Sequence, residues 1–241
     1  MINLQLESDL VHSLDHLNYF SFNLVSNYNF KDNEKNVLSS KANSFITSKF
    51  NNLKINFTEN KPALHFVPRF LGNKKMLTTY PKIFNDMSDM FKASDYINSS
   101  KYSNITDIIH LGSGGSNLGP KLIYNCFSHL SKGPNVHFIS NLDPITLNSK
   151  ILKLNPLNTL IICVSKSFST YETQENLNKL KIWFLNHSTE KLFYNNLFFI
   201  TSFTEKAKKY GLSTSNIINL DPSIGGRFSI WSSSNLINTV I

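Results

Sequence analysis

"DIIHLGSGGSNLGP", residues 107–120, joins a short apolar run to a loop that holds four of the chain's nine glycines. The run contains adjacent β-branched residues, as buried strands do, and apolar residues recur at helical spacing after the loop. A strand, a tight loop and a helix in this order form the repeating unit of α/β proteins. This stretch therefore predicts where the sheet of the fold begins.

Four further apolar runs repeat this pattern toward the C terminus, at residues 136–140, 158–165, 196–202 and 216–220. Stretches with helical periodicity separate most of these runs. Continuous apolar strands that alternate with helices indicate a doubly wound parallel sheet that is covered on both faces. We therefore predict an α/β domain over residues 101–241.

The first hundred residues have a different texture, because they are polar, rich in Asn and Ser, and lack any strong alternating run. Apolar residues recur at helical spacing in segments such as residues 9–25 and 78–97. The sequence therefore predicts a mostly helical N-terminal segment over residues 1–100.

Composition excludes several classes of protein. The net charge of +8 comes from 24 basic residues that are scattered along the chain, which is typical of a solvated surface, so we expect no nucleic-acid partner. No apolar stretch approaches the roughly 20 residues that span a bilayer, so we expect no membrane span. Cys126 and Cys163 lie in apolar runs without metal-ligand or redox spacing. These features predict two buried thiols and a cytoplasmic protein that uses no metal or cofactor.

Ligands of doubly wound sheets bind beyond the carboxyl ends of the strands, so the loops at that edge are the candidate sites. Loop 1, residues 112–120, has glycines that can present backbone N–H groups to an anion, and Ser116 adds a hydroxyl near the start of a helix. Its spacing matches neither the dinucleotide fingerprint nor the P-loop, which disfavours a nucleotide. The alternative is a tight connection without a ligand.

Loop 2, residues 165–173, follows the third predicted strand and opens a helix. It holds five hydroxyl side chains within nine residues: Ser165, Ser167, Ser169, Thr170 and Thr173. Hydroxyls clustered at a helix N-terminus suit a phosphate, because the helix dipole also favours negative charge there. The alternative is a capping box, with Ser169 as the cap and Glu172 three residues later. A cap needs one hydroxyl, so the sequence favours phosphate.

Loop 3, residues 223–236, places Arg227 directly after the pair Gly225 and Gly226. Arg227 is one of only two arginines in the chain, and an arginine beside bare backbone can aim a rigid, permanently charged fork at an oxyanion. The alternative is a structural salt bridge. Loops 1 and 3 together hold six of the nine glycines.

The three loops in combination resemble the phosphoglucose (glucose-6-phosphate) isomerase family. "LGSGGSNLGP", "SKSFSTYET" and "GGRFSIWS" are similar to the family patterns I-G-I-G-G-S-D-L-G-P, S-K-T-F-T-T-Q-E-T and G-G-R-[FY]-S-x-W-S, in the family's order. "INFTENKPALH", residues 55–65, and "VHFISNLDP", residues 136–144, resemble two further family segments. The resemblance implies a sugar-isomerase type of α/β fold.

The resemblance also implies specific residues. Ser116, Ser165, the backbone at Lys166, Ser167 and Thr170 would cradle the phosphate of a sugar phosphate, and Gly115 and Ser116 would border the sugar. Arg227 would stabilise the negative charge of an enediolate while a proton moves between C2 and C1. Glu172 matches the family glutamate that orients a catalytic histidine. The family implies a homodimer that interconverts glucose 6-phosphate and fructose 6-phosphate in glycolysis and gluconeogenesis.

Two departures from the family pattern qualify that expectation. Asn117 stands where the family has Asp, which removes a charge beside the sugar. The family's chain is about twice as long, and by resemblance the second half supplies the glutamate base and the ring-opening histidine. We therefore expect an incomplete chain that lacks the catalytic base. The alternatives are a non-catalytic sugar-phosphate-binding module and the product of a decaying gene with no stable fold.

Overall fold

The computed structural model describes residues 60–240 and, of the remainder, Asn56 and residues 2–3, 23–24, 31, 33–34, 36–41 and 44. Contacts divide the chain into two units, Met1–Ala63 and Leu64–Ile241. In the first unit, β1 (Ile2–Asn3) pairs antiparallel with β2 (Asn23–Leu24). The helix predicted over residues 9–25 lies outside the described residues except for Asn23–Leu24, which form a strand instead.

The second unit is built on a parallel sheet of five strands. They are β3 (Asp107–Gly112), β4 (Asn135–Ile139), β5 (Thr159–Val164), β6 (Leu197–Thr201) and β7 (Ile217–Asn219). Their order across the sheet is β4-β3-β5-β6-β7, and every neighbouring pair is parallel. Each strand overlaps one of the five apolar runs, so the predicted doubly wound parallel sheet is confirmed.

Eight α-helices connect and cover these strands. They are α1 (Lys74–Thr79), α2 (Pro81–Ile97), α3 (Gly115–Phe127), α4 (Pro144–Ile151), α5 (Tyr171–Leu185), α6 (Glu190–Asn195), α7 (Thr204–Lys209) and α8 (Ile237–Val240). Short 3-10 helices lie between them, including Gly226–Trp231 in loop 3. Asparagine and aspartate side chains cap several starts, as where Asp143 accepts from the N–H groups of Ile145 and Thr146.

Side-chain alternation along the strands gives the sheet two buried faces. On β5, Leu160, Ile162 and Val164 belong to one apolar cluster, whereas Ile161 and Cys163 belong to the other. The first cluster includes residues of α2 and α8, and the second includes residues of α4, α5, α6 and α7. Because both faces are covered, β5 is buried at all six positions and forms a continuous apolar run.

Helix α2 belongs to the same core as the sheet. It buries Ile83, Met87, Met90 and Ile97 in the cluster that also contains Phe198 of β6. The sequence placed a boundary near residue 100 because the polar texture changes there. The contacts divide the chain at residue 63, and the buried residues of α2 share one apolar cluster with the sheet.

The connections leave the sheet in two directions, and this defines a switch point. The segment after β3 leads to β4 on one side, whereas the segments after β5 and β6 lead away to the other side. The loops that follow β3 and β5 therefore diverge from adjacent strands and leave a crevice beyond their carboxyl ends. Those loops are loop 1 and loop 2.

Two predictions about the cysteines had different outcomes. Cys163 is buried in β5, as predicted, but Cys126 is exposed near the end of α3, so the prediction for Cys126 was wrong. Helix α3 buries only Asn117 and Pro120, which leaves most of its surface open. In the part of the chain that the structure describes, no helix combines the length and apolar character needed to cross a bilayer.

Candidate functional site

The sheet register places loops 1 and 2 side by side. Strands β3 and β5 stay paired to their last residues, with Gly112 opposite Val164. Ser113 and Ser165 therefore directly follow the ends of two adjacent strands. Loop 1 continues into the N-terminus of α3 at Gly115, and loop 2 continues into the N-terminus of α5 at Tyr171. Two helix N-termini thus start from the same edge of the sheet, where the dipoles of both favour an anion.

Loop 3 meets loop 1 backbone to backbone at Gly115. A Cβ atom on Gly115 would lie 2.3 Å from the carbonyl carbon and oxygen of Gly226 and 2.6 Å from the backbone nitrogen of Arg227. No side chain fits in that space, so only glycine allows the two loops to come this close. The sequence assigned this glycine to anion binding, but the structure shows that it first provides a close contact between the loops. The contact places the backbone of Arg227 beside the start of α3.

Two other glycines of loop 1, Gly114 and Gly112, meet different steric requirements of the turn. Gly114 has φ +51° and precedes α3, in a region that side-chain-bearing residues rarely adopt. A Cβ on Gly112 would lie 3.0 Å from the carbonyl oxygen of Ser116, so the turn back onto the strand end is also tight. The N–H of Ser116 donates to the carbonyl of Ser113 at 3.1 Å and closes the turn.

A buried histidine supports loop 1 from below. Pro120 lies inside α3 and has no N–H, so the carbonyl of Ser116, four residues earlier, lacks its helical donor. The Nε2 atom of His110 lies 2.9 Å from that carbonyl oxygen. Because a carbonyl oxygen only accepts, Nε2 carries the proton, and His110 supplies the donor that the proline removed.

His110 is therefore a neutral support and not a proton shuttle. Its side chain is fully buried in β3, and burial lowers its pKa to about 4, against the opposing effect of the Ser116 hydrogen bond. Asn117, in the first turn of α3, is nearly as buried, at 4% exposed. Asn117 Oδ1 and His110 Nδ1 have no hydrogen-bond partner among the described residues.

The start of loop 2 is fixed from the neighbouring strand. The N–H of Ser165 donates to the carbonyl of Ile200, and the carbonyl of Lys166 accepts from the N–H of Ser202 at 3.0 Å. The hydroxyl of Thr201 donates to the same Lys166 carbonyl. These bonds set the orientation of the peptide at Lys166, whose backbone is one of the candidate phosphate contacts.

The hydroxyl groups of loop 2 do not cap α5, the helix that follows this loop. Thr170 is the N-cap of α5, and its side chain makes no cap hydrogen bond. Ser169, which the capping alternative required, is exposed and precedes the cap. Ser165 Oγ and Thr170 Oγ1 lie 3.4 Å apart, and Ser167 Oγ accepts weakly from the N–H of Ser169 at 3.3 Å. The capping-box alternative therefore does not explain this cluster of hydroxyls.

The two charged side chains that the sequence assigned to the site, Arg227 of loop 3 and Glu172 of loop 2, are exposed on the surface. Arg227 is exposed in the 3-10 helix Gly226–Trp231 and forms no ion pair with any residue that the structure describes. The salt-bridge alternative for Arg227 therefore finds no partner in residues 60–240. Glu172 is exposed in the first turn of α5. Phe228, next to Arg227, stacks on the ring of His65 with centroids 4.4 Å apart.

Two buried carboxylates, Asp86 and Asp221, fix the segment that leads from β7 into loop 3, here called the root of loop 3. Asp221 accepts from the N–H of Ser223 at 2.8 Å, and Lys82 lies 3.6 Å from its other oxygen. Asn219, at the end of β7, donates to both carboxylate oxygens of Asp86 on α2. Burial raises the pKa of Asp86 to about 6, and the charge of Asp221 adds to this, while the Asn219 hydrogen bonds oppose it.

Together these features make this edge of the sheet a candidate anion site, and the three loops hold no positioned base. Loops 1 and 2 and the 3-10 helix of loop 3 contain three charged residues: Lys166 and Arg227 are cationic, and Glu172 is anionic. Hydroxyl groups and helix N-termini add further positive potential. No group of three or more His, Cys, Asp or Glu side chains within the described ranges could hold a metal ion. The arrangement suits binding of a phosphate dianion.

Sequence reasoning missed the residues that support the site. His110 and Asp86 lie under loops 1 and 3, and both depend on partners that the local pattern does not identify. The one available signal was Pro120 within a helical pattern, which marks an orphaned carbonyl but not its donor. The segment "INFTENKPALH" falls largely outside the described residues, although His65 at its end lies against loop 3.

Comparison with known proteins places the chain in a family. The model of the family described as "Phosphoglucose isomerase" matches residues 19–240. A glucose-6-phosphate isomerase of Legionella pneumophila is 38% identical over 205 residues, which cover 81% of this chain and 40% of that protein. The corresponding enzyme of Buchnera aphidicola subsp. Schizaphis graminum is 33% identical over 203 residues, covering 80% of this chain and 37% of the relative.

Solved structures confirm the fold. The crystal structure of a glucose-6-phosphate isomerase from Chlamydia trachomatis superposes with a TM-score of 0.68 at 21% identity, over 86% of this chain and 42% of that one. A hypothetical protein from Thermus thermophilus gives a TM-score of 0.57 at 25% identity, over 74% and 44% of the two chains. This chain thus spans about 40% of the length of the Legionella and Buchnera relatives. With a family match over residues 19–240, the chain belongs to the phosphoglucose isomerase family.

Proposed function

We propose that this chain forms the sugar-phosphate-binding part of a glucose-6-phosphate isomerase, an aldose–ketose isomerase that interconverts glucose 6-phosphate and fructose 6-phosphate in glycolysis and gluconeogenesis. The observation that carries the proposal is the hydroxyl cluster of loop 2, which lies at the switch point and is not used to cap α5. Family membership supplies the substrate class, because the matched relatives are glucose-6-phosphate isomerases.

In this proposal loop 2 holds the phosphate. The hydroxyls of Ser165, Ser167 and Thr170 and the N–H of Lys166 donate to the dianion, and the N-terminus of α5 adds its dipole. Ser116 donates from the N-terminus of α3, on the other side of the crevice. A dianion bound between two helix N-termini fits this charge distribution better than a neutral sugar would, so the phosphate provides most of the affinity.

The loop 1–loop 3 contact positions the sugar. Gly115 and Ser116 border it, and the tight backbone contact at Gly115 holds Arg227 near the same edge of the crevice. During isomerisation a proton leaves C2 and returns at C1, and negative charge develops on the enediolate oxygens. The guanidinium of Arg227 stabilises that charge. Glu172 orients a histidine from outside the three loops.

The general base of the reaction comes from outside these residues. His110 cannot serve, since its Nε2 proton is donated to a backbone carbonyl and its pKa lies near 4. Glu172 is exposed on the first turn of α5. Loss of a positioned base costs about 10²–10⁴-fold in rate, so the chain alone turns over substrate very slowly. By analogy with the family, the working enzyme is a cytoplasmic homodimer.

The lack of a positioned base also favours a second candidate function. A module that binds a sugar phosphate without converting it would need the same phosphate loop and no proton shuttle. The two functions separate in a coupled isomerase assay: addition of a polypeptide that supplies the missing base restores turnover only in the first case.

The phosphate assignment is tested by calorimetry with glucose 6-phosphate. Ser165→Ala combined with Thr170→Ala removes two charge-assisted donors and should weaken binding about a hundredfold, or by about 3 kcal/mol. Ser169→Ala is the matched control, because Ser169 is an exposed hydroxyl of the same loop outside the assigned set. Unchanged affinity in the double variant, with a native circular dichroism spectrum, would refute the assignment.

A further inference from the structure

The Arg227 side chain has no side-chain partner that would fix its direction. It is exposed, and its guanidinium forms no hydrogen bond or ion pair with any residue that the structure describes. The direction in which it points therefore depends on the backbone that carries it, the 3-10 helix Gly226–Trp231.

Two contacts with other segments flank Arg227. On its N-terminal side, Gly226 lies against Gly115 of loop 1. On its C-terminal side, the ring of Phe228 stacks on the ring of His65, with centroids 4.4 Å apart and planes inclined by 22°. Phe228 is 50% exposed, so the core does not enclose it, and the stack ties it to a separate segment of the chain.

His65 is a firm platform for this stack because its neighbours in the chain are anchored. Leu64 is buried in the first apolar cluster, and its N–H donates to the carbonyl of Ser223 at 3.1 Å. Val67, two residues after His65, is fully buried. The segment therefore contacts loop 3 at its first residue as well as through the ring stack.

The position of Arg227 matters for the chemistry of the proposed function. A charged group stabilises a developing charge only where the two lie close together, and a misplacement of about 1 Å can cost about 10²-fold in rate. A stacked pair of rings adds a modest attraction beyond the area it buries, and it restricts how each ring can tilt. Loss of the stack should therefore weaken the action of Arg227 without unfolding loop 3.

We propose that His65 is a positioning residue for the isomerisation. Its ring holds Phe228, and through Phe228 it orients the 3-10 helix so that the Arg227 guanidinium faces the oxygens on which the enediolate charge develops. His65 acts through Phe228 and does not contact the substrate. This inference rests on the proposed function for the role of Arg227, whereas the coupling between His65 and the 3-10 helix is a property of the free chain.

The coupling is tested first without a ligand, by NMR on the ¹⁵N-labelled 241-residue chain. His65→Ala should lower the heteronuclear NOE of the amides of residues 226–228, because these amides become more mobile. The amides of residues 165–170 in loop 2 should keep their values. His65→Phe retains a flat ring and should restore the parent values at residues 226–228.

The role in the reaction is tested by calorimetry with two ligands. 6-Phosphogluconate carries a carboxylate at C1, so it places negative charge where the enediolate has it, whereas glucose 6-phosphate does not. His65→Ala should weaken binding of 6-phosphogluconate about fivefold and of glucose 6-phosphate less than about twofold, since loop 2 holds the phosphate of both. Phe228→Ala should act alike, and the double variant should lose no more than either single variant.

His129→Ala, at an exposed histidine beyond the end of α3, is the matched control and should change neither measurement. If glucose 6-phosphate does not bind the parent chain, the proposed function fails, while the NMR result still decides whether His65 holds the 3-10 helix. Unchanged NOE values in His65→Ala, equal weakening of both ligands, or additive losses in the double variant would overturn the proposal.

Discussion

Loops 1 and 2 leave adjacent strands at the same edge of the sheet, yet they are built on opposite principles. Loop 1 is held in place by close packing, because Gly115 contacts the backbone of Gly226. His110 also donates a hydrogen bond to the Ser116 carbonyl of this loop. Loop 2 is fixed at its start, but most of its hydroxyls make only weak bonds within the loop. The candidate site would thus combine a rigid wall, loop 1, that positions a ligand with a polar wall, loop 2, that binds it.

We expect the largest loss of stability from a substitution at Gly115, in the rigid wall formed by loop 1. Gly115→Ala would place a methyl group 2.3 Å from the Gly226 backbone, so loops 1 and 3 must separate. We expect a loss of about 3 kcal/mol or more in the free energy of unfolding, since the clash is with backbone that cannot rotate away. Urea denaturation measures this directly.

Gly119→Ala is the matched control for that clash. A Cβ at residue 119 would lie 3.5 Å from Ile230, an ordinary contact, and Gly119 is inside α3. Replacing a helical glycine by alanine stabilises by roughly 0.5–1 kcal/mol, so this variant should be at least as stable as the parent. If both variants have the same stability, the proposed close contact between loops 1 and 3 is wrong.

A pH effect of intermediate size should come from His110, beneath loop 1. Its folded pKa, about 4, lies below its ordinary value near 6.5, so its contribution to stability is present above pH 6.5 and is lost as the pH falls toward 4. The loss amounts to about 3 kcal/mol, at about 1.4 kcal/mol per pKa unit.

The variant His110→Gln separates titration from hydrogen bonding. Glutamine keeps an N–H donor for the Ser116 carbonyl but has no proton to gain, so its stability should change less between about pH 7 and pH 4.5. Thermal melts at a series of pH values provide the comparison. A variant with the same acid profile as the parent would show that His110 is not the titrating group.

A smaller effect of opposite sign should come from Asp86, at the root of loop 3. Its folded pKa, about 6, lies above its ordinary value near 3.9, so its stabilising effect is present below pH 4 and is lost as the pH rises through 6. Asp86→Asn should therefore raise the stability at pH 7.5 by about 1 kcal/mol, a value reduced by solvent screening, and leave it unchanged at pH 4.

The exposed Asp89 provides the control for Asp86. It lies one turn further along α2 and forms an exposed ion pair with Lys92, so Asp89→Asn should change stability little at either pH. A destabilised Asp86→Asn variant at neutral pH would mean that the ionised carboxylate is needed to hold Asn219.

The sequence predicted the sheet and the position of the site because both follow from local patterns. Apolar runs marked all five strands of the sheet, and the glycine and hydroxyl content of loops 1, 2 and 3 marked the edge where the candidate site lies. Local patterns could not show that Thr170, and not Ser169, is the N-cap residue of α5, or that Gly115 is needed for contact with Gly226. Those features depend on how separate segments meet.

One error shows the same limit. Cys126 lies in an apolar pattern, but α3 buries only Asn117 and Pro120, so the thiol is exposed. Periodicity identifies a helix but does not say which element covers it.

In the function proposed for this chain, loops 1, 2 and 3 form one binding site for a sugar phosphate. A titration of the ¹⁵N-labelled chain with glucose 6-phosphate, followed by amide shifts, tests it most directly. We predict that amides of residues 114–116, 165–170 and 225–227 shift together with one dissociation constant, and that unphosphorylated glucose leaves them unchanged. Shifts confined to a single loop, or equal shifts with glucose, would contradict it.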